Sequence, residues 1–105
     1  MAETGWLDVE VEGEGEHALV KVANRFEYVE LVWLWIGNLG DGEARVGLRW
    51  SGEGKVWWNT VIPYLGYVTF NPPRPRVGPS GNNLVLRVVG ENVRLCVSAL
   101  APVRV

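Results

Sequence analysis

Few side chains in this sequence are able to act on a substrate. His17 is its lone histidine and Cys96 its lone cysteine. A histidine near neutral pH serves as acid, base or metal ligand, but a catalytic one needs a partner to orient it, and no second candidate is spaced to do so. Beside Glu16 on an edge strand, His17 reads as a surface residue. Cys96 falls in mid-strand, far from any helix N-terminus or basic loop that would favour its thiolate. One histidine and one cysteine cannot assemble the usual nitrogen and sulfur ligands of zinc. Glu10, Glu12, Glu14 and Glu16 supply the oxygens calcium prefers, without the ligand order of a calcium loop. A charged strand edge that discourages edge-to-edge pairing is the plainer account. Gly13-x-Gly15 and Gly52-x-Gly54 lack the strand-to-helix setting of a phosphate cradle, and Asp41 and Glu91 fall in turns. These residues predict no enzyme, no cofactor and no metal.

Tryptophan is what the chain offers instead: Trp6, Trp33, Trp35, Trp50, Trp57 and Trp58. A fully covered indole removes ~150–250 Å² from water, worth roughly 4–6 kcal/mol at ~25 cal/mol per Å². Core filling accounts for part of this set, since sandwich interiors demand bulk. Outward rings have three uses. They stack on sugar rings in carbohydrate-binding sandwiches, stack on unpaired bases, or anchor subunit contacts, where tryptophan, tyrosine and arginine are enriched. A formal charge of −2 without a basic cluster argues against nucleic acid. Trp57 and Trp58 are adjacent, so strict strand alternation sends them to opposite faces.

The elements that position these rings are strands. The chain is 105 residues long, rich in valine, and punctuated by 13 glycines and 6 prolines. It has the length of one domain, 1–105, able to bury roughly 65% of its unfolded surface. Its centre is Tyr28 to Ile36. Val29, Leu31, Trp33 and Trp35 fall on one face, and Tyr28, Val32, Leu34 and Ile36 on the other, so both faces call for cover. Before it, residues 1–5 read as a loose tail. Residues 6–24 read as an acidic hairpin turning at Gly13-Glu-Gly15, with Leu7, Val9, Val11, Ala18, Val20 and Val22 inward.

After the centre, Asn38-Leu-Gly-Asp-Gly42 and Ser51-Gly-Glu-Gly54 are turns that bracket the alternating strand Glu43 to Trp50. Lys55 to Ile62 and Tyr64 to Asn71 are further strands. The proline-rich 71–81 is an extended connection crossing from one sheet to the other. Asn83 to Val89 and Asn92 to Leu100 close the chain, joined by Gly90-Glu91. About eight strands at this spacing, with no helix, predict an all-β antiparallel sandwich, jelly-roll-like. No apolar stretch approaches ~18 residues, so no membrane span is expected, and the opening residues have no leader pattern. A lack of glutamine, and eight arginines to two lysines, suit a thermophilic source or a GC-rich genome.

From about Tyr28 onward the chain resembles small β-sandwich accessory domains of tailed bacteriophage virions. Val29-Glu-Leu-Val-Trp-Leu-Trp-Ile-Gly-Asn38 is similar to their opening strand and its Asn-containing turn. Glu43-Ala-Arg-Val-Gly-Leu-Arg49 is similar to the next amphipathic strand. Val61-Ile-Pro63 and Pro72-Pro73 are similar to their proline-marked strand ends. Gly81-Asn-Asn-Leu-Val-Leu-Arg87 and Asn92-Val-Arg-Leu-Cys-Val-Ser98 are similar to their closing hairpin, with Asn82 where the family's Gly-Asp-x-Leu pattern has an acid. The resemblance implies a capsid-decoration or head- or tail-associated protein in the virion. It implies homo-oligomers or other virion proteins as partners, and no catalytic residues. Trp57, Tyr64, Tyr67, Pro72, Pro73 and Arg74 are the expected contact anchors. The alternative is a carbohydrate-binding module with a glycan stacked on Trp57.

Overall fold

The computed structural model describes residues 5–105. Most of the expected loose tail, residues 1–4, lies outside that range. Gly5 is tied down, its carbonyl accepting the Ala101 N–H at 2.8 Å. Eleven strand segments and no helix are found among the described residues: β1 (Trp6–Glu12), β2 (Gly15–Val20), β3 (Tyr28–Leu31), β4 (Trp33–Asn38), β5 (Ala44–Trp50), β6 (Val56–Ile62), β7 (Tyr67–Phe70), β8 (Arg76–Val77), β9 (Leu84–Val89), β10 (Arg94–Leu100) and β11 (Val103–Arg104).

Every pairing is antiparallel. One sheet runs β1-β10-β4-β7, the second β2-β9-β5-β6, and a short piece runs β11-β3-β8. That short piece is the first sheet prolonged past a bend. β3 leads into β4 at Val32, β10 into β11 at Ala101 and Pro102, and β7 into β8 through residues 71–75. Bonds from Val32 N–H to the Leu100 carbonyl and from Glu30 N–H to the Pro102 carbonyl, both 2.9 Å, carry the ladder round the bend. With each bent pair counted once, the sheets hold eight strands in the orders 1-8-3-6 and 2-7-4-5. This is the double Greek key of a jelly roll, and the expected all-β sandwich is the one that forms.

The connections differ from expectation. Of the turns between the expected strands, only Ser51–Gly54 joins neighbours in one sheet, β5 and β6. Gly13-Glu-Gly15 does not close a hairpin, because β1 pairs with β10 and β2 with β9. Residues 39–43 and 90–93 likewise carry the chain from one sheet to the other. Turn residues reverse a chain locally, whereas burial of inner faces decides which edge receives the next strand. The proline-rich segment crosses later than expected. Arg76–Val77 still pairs with β3 in its own sheet, and only the residues after it pass over to β9.

Face assignments shift at three places. At Val32 the inward set changes from Val29 and Leu31 to Leu34 and Ile36. The apparent apolarity on both faces is therefore one strand slipping phase, and Trp33 and Trp35 turn outward. At Leu19 the β2–β9 register shifts, so Val20 packs on the core while Ala18, expected inside, is exposed. At Trp57 the β5–β6 register shifts, with Leu48 opposite Trp58 and Arg49 opposite Val56. Trp57 is the inserted residue of a bulge, so it and Trp58 both pack on the core. The expectation of opposite faces fails there. Val9 is exposed as well, because β1 is an edge strand, on which only Val11 is fully covered. Trp50, Leu48, Leu84, Leu86, Leu34, Ile36, Leu95 and Val97 form the shared core.

Candidate functional site

The six residues expected as anchors all lie on or next to β6 and β7, the edge strands of the two sheets on one side of the sandwich. Tyr64 lies in the turn linking them, and Tyr67 opens β7. Pro72, Pro73 and Arg74 follow directly after it. Tyr64 and Tyr67 are 58% and 67% exposed, Pro73 and Arg74 are exposed, and Pro72 is half-buried. Between the tyrosines stands Leu65, 65% exposed. The turn is closed by a bond from Gly66 N–H to the Pro63 carbonyl at 2.8 Å, with Leu65 at φ 60°. This is a left-handed conformation that costs a branched side chain about 1–2 kcal/mol. Sequence reasoning missed Leu65, since nothing in a Tyr-Leu-Gly string announces a positive φ.

Trp57 belongs to the inner side of this edge. Its ring stacks on Trp50 at 5.5 Å and 25°, meets Phe70 edge-on at 5.5 Å, and lies under the Arg76 guanidinium at 4.4 Å. Its Nε1 is buried and has no hydrogen-bond partner. A ring so engaged is a packing element with a cationic cover. It is not an open platform for a sugar.

The outer face of the first sheet is built by register. Trp6, Leu100 and Trp33 form one row, Asp8, Ser98, Trp35 and Thr69 the next, and Glu10, Cys96, Gly37 and Tyr67 a third. Trp6 meets Trp33 edge-on at 5.9 Å, and Trp35 stacks with Tyr67 at 6.1 Å and 27°. The Trp35 ring lies across Gly37, where an added Cβ would fall 2.5 Å from it. Asp8 accepts the Ser98 hydroxyl, and Glu10 pairs with Arg94 at 2.6 Å. Asp8 and Glu10 thus each have a side-chain partner, and no group of His, Cys, Asp or Glu able to hold a metal ion occurs among the described residues.

The outer face of the second sheet has the opposite character. Val89, Arg45 and Val61 form one row, and Glu16, Arg87, Gly47 and Asn59 the next. Arg49 clamps Glu16 through two nitrogens at 2.6 and 2.7 Å, and donates to the Trp50, Ser51 and Glu53 carbonyls. The Arg49 hydrogen bond holds the Glu16 carboxyl below its ordinary range. Over Gly47 lies an open cleft of about 300 Å³, lined by Arg45, Arg87, Val56, Asn59, Val61 and Val89. The signal in the sequence was the alternation Arg45-x-Gly47-x-Arg49, which puts two cations and a gap on one face.

His17 sits on β2, the edge strand of that sheet, as expected. Its Nε2 is 3.0 Å from the Gly13 carbonyl, a bond that braces the sheet-to-sheet connection. Cys96 lies in mid-strand, half-buried and not in a disulfide.

No family model and no curated protein matches the chain. Solved structures do. The chain is similar to PirA, with a TM-score of 0.58 and 16% identity over 94% of this chain and 95% of that one. It is similar also to a chain of the capsid of Helicobacter pylori bacteriophage KHP30, with a TM-score of 0.50 and 13% identity over 93% of this chain and 97% of that one. At these identities the likeness is one of fold. No helix among the described residues is long and apolar enough to cross a membrane.

Proposed function

We propose that this protein is a structural, non-enzymatic component of a tailed-phage virion, a capsid decoration or a head- or tail-associated subunit. On this reading it docks on its own copies or on other virion proteins through the β6–β7 edge. The observation that carries the reading is the ridge of Tyr64, Leu65 and Tyr67, more than half exposed. Contiguous large apolar side chains in water mark contact sites, and aromatic anchors dominate such contacts. Leu65 is held in a costly backbone conformation, and backbone strain of this kind concentrates where a residue is presented to a partner. The fold shared with a phage capsid chain over nearly the whole of both agrees with a place in a shell. Docking there needs shape and apolar surface, and no reacting group.

The experiment compares the wild-type chain with a Tyr64→Ala/Leu65→Gly/Tyr67→Ala variant. Multi-angle light scattering follows self-association, and co-sedimentation follows binding to purified capsids and tails. With each anchor contributing about 1 kcal/mol, the folded variant should bind roughly 100-fold more weakly. A wild-type chain that stays monomeric at high concentration and leaves virion parts untouched removes the reading. Carbohydrate binding would have to use Tyr67 backed by Trp35, because Trp57 is covered, and quenching of Trp35 fluorescence by a defined polysaccharide would favour it.

A further inference from the structure

The two outer faces of the sandwich carry opposite charge. On the first sheet, β1 aligns the carboxylates Asp8, Glu10 and Glu12, answered within the ladder by Arg94. On the second, Arg45, Arg49 and Arg87 are answered by Glu16. In-chain pairing leaves a remainder on each. Glu10 pairs with Arg94 and Glu16 with Arg49. Among the described residues Asp8 forms no ion pair, and Glu12, opposite Arg94 in the ladder, shares that one cation with Glu10. Neither Arg45 nor Arg87 donates a hydrogen bond or forms an ion pair among the described residues. These two arginines are diagonal neighbours beside the cleft over Gly47. Its rim of Val56, Val61 and Val89 gives apolar contact as well as charge.

We infer that this cleft receives the acidic β1 face of a second copy of the chain, so that copies join head to tail. The inference rests on the self-associating form of the function proposed above and names its partner and mode. Complementary charge sets register and speeds encounter, and the apolar rim adds area beside it. Because the two faces lie on opposite sides of the sandwich, the contact is heterologous. Each copy keeps one face of each kind open, and the assembly grows as a row or closes as a ring.

Two variants test this, each checked for native circular dichroism: Arg45→Glu/Arg87→Glu, which spoils the cleft, and Asp8→Asn/Glu12→Gln, which neutralises the acidic face. Wild type is expected to assemble in 50 mM salt and to dissociate as salt screens the charges. Each variant alone should associate at least tenfold more weakly. Mixed, they should form a 1:1 heterodimer that grows no further, because one intact face of each kind remains. Assembly of wild type that neither variant weakens overturns the face pairing and leaves the β6–β7 edge as the contact. Variants that are both monomeric but fail to form the heterodimer overturn the head-to-tail mode. A wild-type monomer that binds an acidic peptide through Arg45 and Arg87 overturns the second copy as occupant. A wild-type monomer that binds nothing overturns the inference and self-association together.

Discussion

Asn38, 1% exposed, donates from its amide nitrogen to the Gly42 carbonyl at 2.8 Å and the Ile62 carbonyl at 3.0 Å, while its oxygen accepts the Gly40 N–H at 3.0 Å. One side chain thereby ties the end of β4 to the loop that leaves it and to the end of β6 in the opposite sheet. Asn38→Leu strips partners from buried backbone groups, each costing about 1–3 kcal/mol when left unmet. A loss of at least ~2 kcal/mol is expected in urea denaturation. Trp57 presents the reverse case, since its Nε1 is already an orphan. Trp57→Phe keeps a ring against Trp50 and removes the unmet donor, so stability should stay within about 1 kcal/mol of wild type. Glu16 titrates with a definite sign. Its folded pKa is lowered, first by the Arg49 hydrogen bond, so its contribution is present above the ordinary glutamate value and lost as pH falls through the depressed one. Glu16→Gln should lower the melting temperature at pH 7 and leave it near wild type in strong acid.

At the scale of elements, two one-residue irregularities do most to set which rings face outward. The slip at Val32 turns Trp33 and Trp35 outward, and the bulge at Trp57 draws both neighbouring indoles onto the core. Strict alternation is legible in β5, β9 and β10, where Val46, Leu48, Leu84, Leu86, Leu95 and Val97 are buried as the pattern requires. It fails downstream of each insertion, because a strand of period two that gains one residue exchanges its faces. Gly37 shows how an element supports the surface above it. Gly37→Ala puts a methyl into the Trp35 ring, so near-ultraviolet circular dichroism should change as Trp35 leaves its stack on Tyr67. The cost should be about 1–3 kcal/mol, as for overpacking.

For the whole molecule, composition and strand spacing by themselves determined the all-β class, the count of about eight strands and most of the core. Those properties follow from local preference and from the side of the chain each residue occupies. The connections were decided only in three dimensions. Gly13-Glu-Gly15, Asn38 to Gly42 and Gly90-Glu91 look like hairpin turns because their chemistry is that of any tight reversal, yet all three cross between sheets. The candidate contact surface divides in the same way. Tyr64, Tyr67, Pro72, Pro73 and Arg74 could be picked from the chain as bulky or rigid groups. That they share one edge with Leu65, and that two faces of opposite charge lie back to back, depends on the strand orders β1-β10-β4-β7 and β2-β9-β5-β6. Strand order is set by the burial of facing side chains far apart in the sequence, a quantity that no local pattern contains.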